Sequence, residues 1–294
     1  VGGAVTGNVK EAESIAVVQE KDYGEVHDLG VTAFTVVDRD GGALPNGETV
    51  DTVTLVSENG IDASTDANVG TYADNISVTP TSTGDPTITG SGNFNQDNYT
   101  FSYDTGDLTI NLANLTITGI TGDNKVYDGT TDATASGTPV LSGVVSDDDV
   151  VLGGTPVFTF ASAELGTDIQ ITTTGFIITG ADSGNYTLIQ PTLSGDITAK
   201  ELTITGITGG DKVYDDTTAA IASGTATLLG VEAGDDVILG GSPVFTFASA
   251  NVGTGITINT SGYTINGTDS GNYTLTQPTL SGDITAKELT ITGI

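Results

Sequence analysis

Hydrophobic and polar residues alternate at every second position in the strongest segments of the chain. In LTIT at 115–118, leucine and isoleucine alternate with threonine, and IQIT at 169–172 has the same spacing. A period of two is typical of β-strands, because successive side chains of a strand point to opposite faces of the sheet. Pairs such as Asp-Gly, Gly-Gly and Ser-Gly separate these segments and favour tight turns. The pattern therefore predicts an all-β protein.

The hexapeptide LTITGI recurs at a constant interval of 87 residues, at 115–120, 202–207 and 289–294. Residues 114–200 and 201–287 align without a gap and are identical at 62 of 87 positions. Self-similarity at a fixed period identifies repeated structural units. We therefore name these two segments copy 2 and copy 3.

Residues 1–113 predict a divergent copy, here named copy 1. Its Asn-Tyr-Thr at 98–100 lies 87 residues before the same motif at 185–187, and its Lys-Asp-Tyr-Gly at 21–24 matches the Lys-Val-Tyr-Asp of the other copies. The apolar residues at 15–18 then stand where the other copies have LTITG. That position favours a strand over a short helix.

The apolar residues of the predicted strands are sufficient for a hydrophobic core, and about half of them should point inward. The core candidates of copy 2 are Leu115, Ile117, Val126, Val150, Leu152, Val157, Phe158, Phe160, Ile169, Ile171, Phe176, Ile178, Tyr186 and Leu188.

The repeats predict three tandem small antiparallel β domains and the first strand of a further, truncated repeat: 1–113, 114–200, 201–287 and 288–294. An immunoglobulin-like sandwich is favoured for each domain, with a β-grasp-like sheet as the alternative. The junction sequence ITAKELTITG has no Pro, Gly or Ser before its last residue, unlike a flexible linker. We therefore expect domains stacked end to end as an elongated rod.

The composition excludes several classes of function. The 294 residues include 7 Lys and Arg against 38 Asp and Glu, which gives a net charge of −31. Such a surface repels nucleic acid and anionic membranes, and the chain has no apolar run long enough for membrane insertion. Cysteine is absent and His27 is the single histidine, so disulfides, thiolate nucleophiles and multi-histidine metal sites are excluded.

Several motifs occur in the same order in copies 2 and 3. In copy 2 they are KVYDGTT at 125–131, DDV at 148–150 and GNYTL at 184–188, followed by the closing LTITG. This ordered set resembles the YDG-type repeat of large bacterial cell-surface adhesins. Copy 3 has Asp216 where the motif has Gly, a difference that concerns the type of turn.

Copy 1, with KDYG at 21–24, NVGTY at 68–72 and GDLTI at 106–110, is similar to the related MBG domain. The two resemblances imply small all-β domains in tandem that are secreted or displayed on a bacterial surface and serve as a stalk or spacer. They imply no catalytic residues and no cofactor.

Two sets of side chains are candidates for chemistry. The adjacent carboxylates at 148–149 and 235–236 point to opposite faces if they lie on a strand, whereas acid and base catalysis needs carboxylates that converge. We therefore predict that they form turns or begin strands. Repeated tyrosines are predicted to be core or corner residues rather than a platform for sugars: Tyr127, Tyr186, Tyr214 and Tyr273.

Calcium is a possible cofactor because its ligands are oxygen atoms and the chain is rich in carboxylates. Solvated loop charge is nevertheless favoured, since the acidic cluster of copy 2 does not recur in copy 3 and EF-hand spacing is absent. The candidate ligands are Asp123, Asp128, Asp132, Asp196 and Asp283.

The sequence is thus best interpreted as a non-enzymatic stalk of a bacterial surface adhesin or fibre, which extends a distal binding region from the cell. Its partners would be the neighbouring repeats of the same chain. One alternative is a ligand-binding module for a sugar or surface protein that uses copy 1 and its longer loop at 38–48. Another is a filament subunit that donates its last strand, 289–294, to a neighbour.

Overall fold

The computed structural model describes residues 10–16, 18–29, 34–38, 49–52, 55–57, 60–62, 64–78, 89–91 and 99–292. Their regular structure is β-strand, apart from 3₁₀ turns at Ser183–Asn185 and Ser270–Asn272 and a 3₁₀ residue at Gly60. The all-β prediction is therefore confirmed. No helix in these ranges is long and apolar enough to cross a membrane.

Copy 1 contributes nine strands in its described residues. These are β1 (Lys10–Ala16), β2 (Gln19–Asp22), β3 (Phe34–Asp38), β4 (Thr49–Thr52), β5 (Leu55–Ser57), β6 (Gly70–Val78), β7 (Thr89–Ser91), β8 (Tyr99–Asp104) and β9 (Gly106–Asn111). The segment around Ile15 belongs to β1, so the prediction of a strand there is confirmed.

Copies 2 and 3 contain nearly the same series of strands. Copy 2 has β10 (Ala113–Gly122), β11 (Lys125–Val126), β12 (Asp132–Ala133), β13 (Ala135–Ser142), β14 (Val151–Phe160), β15 (Gly166–Thr179), β16 (Tyr186–Ile189) and β17 (Thr192–Thr198). Copy 3 has β18 (Lys200–Gly209), β19 (Lys212–Val213), β20 (Ala222–Leu229), β21 (Ile238–Phe247), β22 (Gly253–Asn266), β23 (Tyr273–Leu275) and β24 (Thr279–Thr285). Residues 288–292 lie outside any strand.

The first strand of each copy alternates buried and exposed residues as the sequence pattern predicts. Leu115 and Ile117 of β10 are buried, whereas Thr116 and Thr118 between them are exposed. The equivalent strand β18 has the same burial pattern. A register slip of one residue would expose the leucine and isoleucine, so packing fixes the register.

The sheets are mixed, which corrects the expectation of antiparallel domains. The first strand of each copy pairs in parallel with the Asn-Tyr-Thr strand, namely β1 with β8, β10 with β16 and β18 with β23. Most other pairs are antiparallel, including β21 with β22 and β22 with β24. The parallel pairs form because the two strands lie near opposite ends of a copy, and the intervening residues are more than enough for a crossover.

The chain folds as two compact units. Unit 1 is Val1–Thr118, Pro139–Thr155 and Phe176–Gln190, and unit 2 is Gly119–Thr138, Pro156–Gly175 and Pro191–Ile294. Copy 2 thus contributes residues to both units. The division into domains at 113/114 and 200/201 stays a prediction drawn from the repeats.

Each unit has a core that combines residues of two consecutive copies. The unit 1 core joins Tyr23 and Ile110 of copy 1 to Leu115 and Tyr186 of copy 2. A unit 2 core combines residues of copy 2 with two residues of copy 3: Tyr127, Phe160, Ile171 and Ile197 with Leu202 and Tyr273. A second unit 2 core lies within copy 3 and contains Phe247, Ile258 and Ile284.

Candidate functional site at the junctions between copies

Pairs of tyrosine rings meet where consecutive copies share a core. In unit 2, Tyr127 of copy 2 packs on Tyr273 of copy 3 with ring centroids 5.3 Å apart and an interplanar angle of 74°. In unit 1, Tyr23 packs on Tyr186 at 5.2 Å and 78°. Edge-to-face packing is a favoured geometry for aromatic rings. Both pairs combine the Lys-x-Tyr motif of one copy with the Asn-Tyr-Thr motif of the next.

A carboxylate of the following copy binds the tyrosine hydroxyls. Asp235 Oδ2 accepts hydrogen bonds from Tyr273 at 2.6 Å and from Tyr127 at 2.9 Å. Tyr273 also accepts a bond from the amide of Glu232 at 3.0 Å. The hydroxyl of Tyr273 is therefore satisfied as both donor and acceptor, in a largely apolar setting where an unmade bond would be costly.

The junction in unit 1 repeats this arrangement. Tyr186 donates to Asp148 at 2.5 Å and accepts from the amide of Val145 at 2.9 Å. Tyr23, whose ring packs on Tyr186, lies near the same carboxylate. Tyr186, Asp148 and Val145 lie 87 residues before Tyr273, Asp235 and Glu232, so the two junctions share these polar contacts.

Burial and these hydrogen bonds keep the junction tyrosines neutral. Burial first, and then the nearby Asp148 carboxylate, raises the pKa of Tyr23 to about 12. Burial and the bond to Asp235 raise the pKa of Tyr273 to about 12. The pKa values of Tyr127 and Tyr186 are raised for the same two reasons. Each hydroxyl therefore retains its proton and can donate throughout the physiological pH range.

A buried asparagine completes each junction. Asn272 accepts a hydrogen bond from the Leu165 amide at 3.0 Å and donates to Glu164 Oε2 at 2.6 Å. Asn185 has matching bonds, accepting from the Val69 amide at 3.0 Å and donating to Asn68 Oδ1 at 3.1 Å. The side chains of the later copy thus bind a loop of the preceding copy.

Nothing in the local sequence predicts this role for the asparagines. The recurrence of Asn-Tyr-Thr at intervals of 87 residues was visible, but alternation identifies only a strand. The partners of Asn272 lie 107 and 108 positions away, and no local pattern indicates them.

The paired aspartates divide into two roles. Asp235 serves the junction, whereas the neighbouring Asp236 accepts from the amide and hydroxyl of Thr268 at 3.1 and 2.9 Å. This second set of bonds stabilises a turn, as predicted. Consecutive residues point in different directions, so one residue of the pair can bind tyrosine while the other binds the turn.

Three of the four repeated tyrosines are buried, and the fourth, Tyr214, packs against the core of copy 3 while partly exposed. Tyr127, Tyr186 and Tyr273 are buried in junction cores. Tyr214 is only partly buried, and its hydroxyl donates to Asp216 at 3.1 Å. Asp216 has a φ of +65°, close to the +74° of Gly129 in copy 2, so aspartate adopts the left-handed conformation that the motif gives to glycine.

In copies 2 and 3, the lysine of the Lys-Val-Tyr motif binds the loop that follows the motif. Lys125 Nζ forms an ion pair with Asp128 at 2.7 Å and donates to the carbonyl groups of Thr130 and Asp132 at 2.8 and 2.9 Å. Lys212 makes equivalent bonds to Asp215, Thr217 and Ala219. Each ammonium group also lies 5.6 Å from a phenylalanine ring centroid, which adds a cation–π contact.

Of the calcium candidates in this loop, Asp128 pairs with the ammonium group through its carboxylate, whereas Asp132 binds the ammonium group through its backbone carbonyl. Asp123 accepts from the hydroxyl of Thr134 at 2.8 Å, and hydrogen bonds from Ser136 and Thr134 lower its pKa. The described residues include no cluster of three or more acidic or histidine side chains that could hold a metal ion.

Asp196 and Asp283, the other calcium candidates, accept hydrogen bonds from backbone amides at β-bulges. In each copy a residue in the left-handed region donates its amide to an aspartate of the neighbouring strand. The bonds run from Asp74 to Asp107 at 3.0 Å, from Asp168 to Asp196 at 2.9 Å and from Gly255 to Asp283 at 2.7 Å. These carboxylates fix strand geometry in all three copies.

His27 makes a 3.0 Å hydrogen bond to Gln19 through Nε2 and takes no part in the junctions. The loop at 38–48, proposed from sequence as a ligand-binding element, lies outside the described residues apart from Asp38.

The repeated copies, mixed β-sheets and shared junction contacts define an all-β tandem-repeat protein. The YDG domain family model matches residues 111–194 and 198–280. The chain therefore belongs to the YDG domain family, with two copies of the domain. No curated protein matches the chain.

Proposed function

We propose that the chain is a non-enzymatic spacer formed by tandem β-repeats of a bacterial surface adhesin or fibre. In this role it holds a distal binding region away from the cell. We also propose that each copy is a small sandwich-like or grasp-like β domain, and that the copies stack end to end.

The observation that supports this proposal is the recurrence of one buried junction at both boundaries between copies. Separating copies 2 and 3 would expose Tyr127, Tyr273 and Leu202, which lie in one core. Burial of such side chains contributes roughly 1.5–3 kcal/mol each. The side-chain amide of Asn272 and the hydroxyl of Tyr127 would also lose their partners in the other copy, at about 1 kcal/mol or more per bond. Consecutive copies joined in this way should move together.

The charge of the copies also suits a spacer. Copy 2 has ten acidic and two basic residues, and copy 3 has nine and two, which gives net charges of −8 and −7. Like-charged chains repel one another, which opposes lateral association of neighbouring fibres.

Small-angle X-ray scattering of the full chain tests the proposal. Three stacked copies of about 40 Å each form a rod near 120 Å long, for which the radius of gyration is roughly 35 Å. A compact chain of the same length has a radius of gyration of about 19 Å. A value near 19 Å would overturn the spacer proposal.

The variant Asp235→Ala provides a matched test of the junction. It removes the shared acceptor of Tyr127 and Tyr273, whereas Asp283→Ala alters a bulge inside copy 3. If the junction stiffens the chain, small-angle X-ray scattering should give a broader distribution of end-to-end lengths for Asp235→Ala than for Asp283→Ala. Equal distributions would contradict that role.

A further inference from the structure

We propose that strand β20 of copy 3 pairs with β20 of a second molecule of this chain, edge to edge and antiparallel, to form a dimer with its two-fold axis at Thr225. We name this surface the β20 edge and define it as Ile221 and strand Ala222–Leu229. The interaction is additional to the proposed spacer function and does not depend on it.

The outer side of β20 is open to a further strand. In the sheet of order β20-β18-β23, β20 is the outermost strand, and among the described residues it pairs with β18 alone. The register aligns Thr227 and Gly224 with residues of β18 and passes over the two residues between them. An outermost strand presents amide and carbonyl groups that another extended chain can bind.

Copy 2 blocks the equivalent edge, whereas copy 3 does not. Pro139 of β13 lies 87 residues before Ala226, and proline has no N–H to donate to a neighbouring strand. Copy 2 also has Asp132 where copy 3 has Ala219. Natural proteins use proline and charged residues on outer strands to prevent edge-to-edge association. Both devices are missing from copy 3, where residues 217–231 contain no charged side chain.

Copy 3 also has additional apolar side chains at this edge. Ile221 stands where copy 2 has Thr134, and Leu229 stands where copy 2 has Ser142. The isoleucine is 69% exposed and the leucine is 59% exposed. One central position changes in the opposite sense, from valine in copy 2 to Thr227. The added apolar surface therefore lies at the two ends of the strand.

The backbone of this sheet has the same irregularity in both copies. Gly206 and Gly224 have φ values of +82° and +102°, and their counterparts Gly119 and Gly137 have values of +79° and +110°. Strand β13, like β20, is the outermost strand of its sheet. The two edges therefore differ in their side chains rather than in the path of the backbone, so copy 2 is an internal control.

The positions of the two apolar residues match those of the same strand in a second molecule. Ile221, Thr225 and Leu229 are all exposed and are separated by even numbers of residues, so they share one face. In an antiparallel pair centred on Thr225, the isoleucine of each molecule lies opposite the leucine of the other on that face. Apolar residues directly opposite each other stabilise such a pair. The β20 edge is thus complementary to itself, as a two-fold interface requires.

The distribution of charge also favours a second molecule of this chain as the partner. Each molecule has a net charge of −31, so two molecules repel each other where acidic surfaces approach. Two β20 edges meet without carboxylates in either strand, and a strongly basic partner finds no counterion within residues 217–231. Pairing uses the β20 edge of both molecules, so association should stop at the dimer.

Sedimentation velocity of the full chain over a range of concentrations tests the dimer. The mass should rise to twice that of one molecule and no further. Because salt screens the repulsion between acidic surfaces, the dissociation constant should fall about tenfold or more between roughly 0.05 M and 0.5 M salt. A chain that stays monomeric under all these conditions overturns the proposal, and so do aggregates larger than a dimer.

Residues of copy 2 placed in copy 3 test the edge itself. Ala226→Pro and the double variant Ile221→Thr, Leu229→Ser introduce residues that the same fold contains in copy 2, so melting should stay close to that of the parent chain. Each should raise the dissociation constant about tenfold or more. The control is Val213→Thr, which removes an exposed apolar residue of β19. A dimer unaffected by Ala226→Pro, or weakened as much by the control, would contradict edge pairing.

A single cysteine tests the register of the pair. The chain has no cysteine, so Thr225→Cys gives each molecule one thiol, and the two thiols face each other across the two-fold axis. Directly opposite residues of antiparallel strands have Cα atoms about 4.5–5.5 Å apart, which suits a disulfide. Under mild oxidation this variant should form linked dimers about tenfold or more faster than Thr138→Cys, the same position in copy 2. Equal rates for the two variants would overturn the proposed register and the dimer that it defines.

Discussion

Tyr127 and Asp235 are 108 residues apart in the sequence, yet the tyrosine hydroxyl donates a 2.9 Å hydrogen bond to the carboxylate. The tyrosine belongs to copy 2 and the aspartate to copy 3. Because Asp235 also accepts from Tyr273, one carboxylate links the two copies. The bond therefore contributes to the association of repeats rather than to the fold of a single repeat.

Replacing Tyr127 with phenylalanine should destabilise unit 2 by about 1.5–3 kcal/mol, because a buried hydroxyl loses its bond to a charged acceptor. The measurement is the free energy of unfolding from urea denaturation. The matched control is Tyr214→Phe, which changes the same motif where the hydroxyl is only partly buried and should cost less than about 0.5 kcal/mol. Equal losses for the two variants would contradict a specific role for the junction.

Replacing Leu202 with alanine should cost about 2–5 kcal/mol, because the side chain is fully buried in the shared core and its loss leaves a cavity. Leu289→Ala makes the same chemical change in an identical local sequence. Since Leu289 is exposed, this variant should melt within about 2 °C of the parent chain. A comparable loss at both positions would mean that residues around 289 are packed in solution.

The sequence predicted the strands better than their partners. Alternation placed Leu115 and Ile117 inward, and both are buried, but it also offered Val126 and Val157, which are more than half exposed. Alternation identifies the two faces of a strand but not which face another element covers. The role of Asn272 depends on a loop more than 100 residues away, so only the folded chain brings that contact into view.

Replacing Lys125 with methionine should lower the free energy of unfolding by about 1–3 kcal/mol. The carbonyl groups of Thr130 and Asp132 would lose their donor, and Asp128 would lose its counterion, while methionine retains most of the apolar stem. Lys287→Met removes an exposed lysine and is the control. The expected order of stability, from urea denaturation, is parent chain, then Lys287→Met, then Lys125→Met.

Removing divalent cations should leave the melting temperature unchanged. The acidic loop of copy 2 already binds the ammonium group of Lys125, and Asp196 and Asp283 bind backbone amides of bulges. Melting curves by circular dichroism with calcium and with a chelator should therefore coincide. A melting temperature more than about 4 °C higher with calcium than with the chelator would indicate a bound ion that stabilises the fold by about 1 kcal/mol or more.

Stability should fall steeply above pH 10. The fold raises the pKa of Tyr23 and Tyr273 from 10.0 to about 12, so the folded chain keeps protons that the unfolded chain has lost. Unfolding therefore releases protons between these two pKa values, and the stabilisation present below pH 10 is lost progressively as the pH rises toward 12. Each tyrosine contributes up to about 1.4 kcal/mol per pH unit in that range.

The variant Tyr273→Phe separates the effect of tyrosine titration on stability from that of the lysines, whose ordinary pKa lies in the same range. It should be less stable than the parent chain at pH 8, because the bond to Asp235 is lost, and the difference should shrink as the pH rises from 10 to 12. Urea denaturation at several pH values measures that difference directly. A difference that stays constant across the range would show that the Tyr273 hydroxyl titrates alike in the folded and unfolded chains, which the buried bond to Asp235 does not allow.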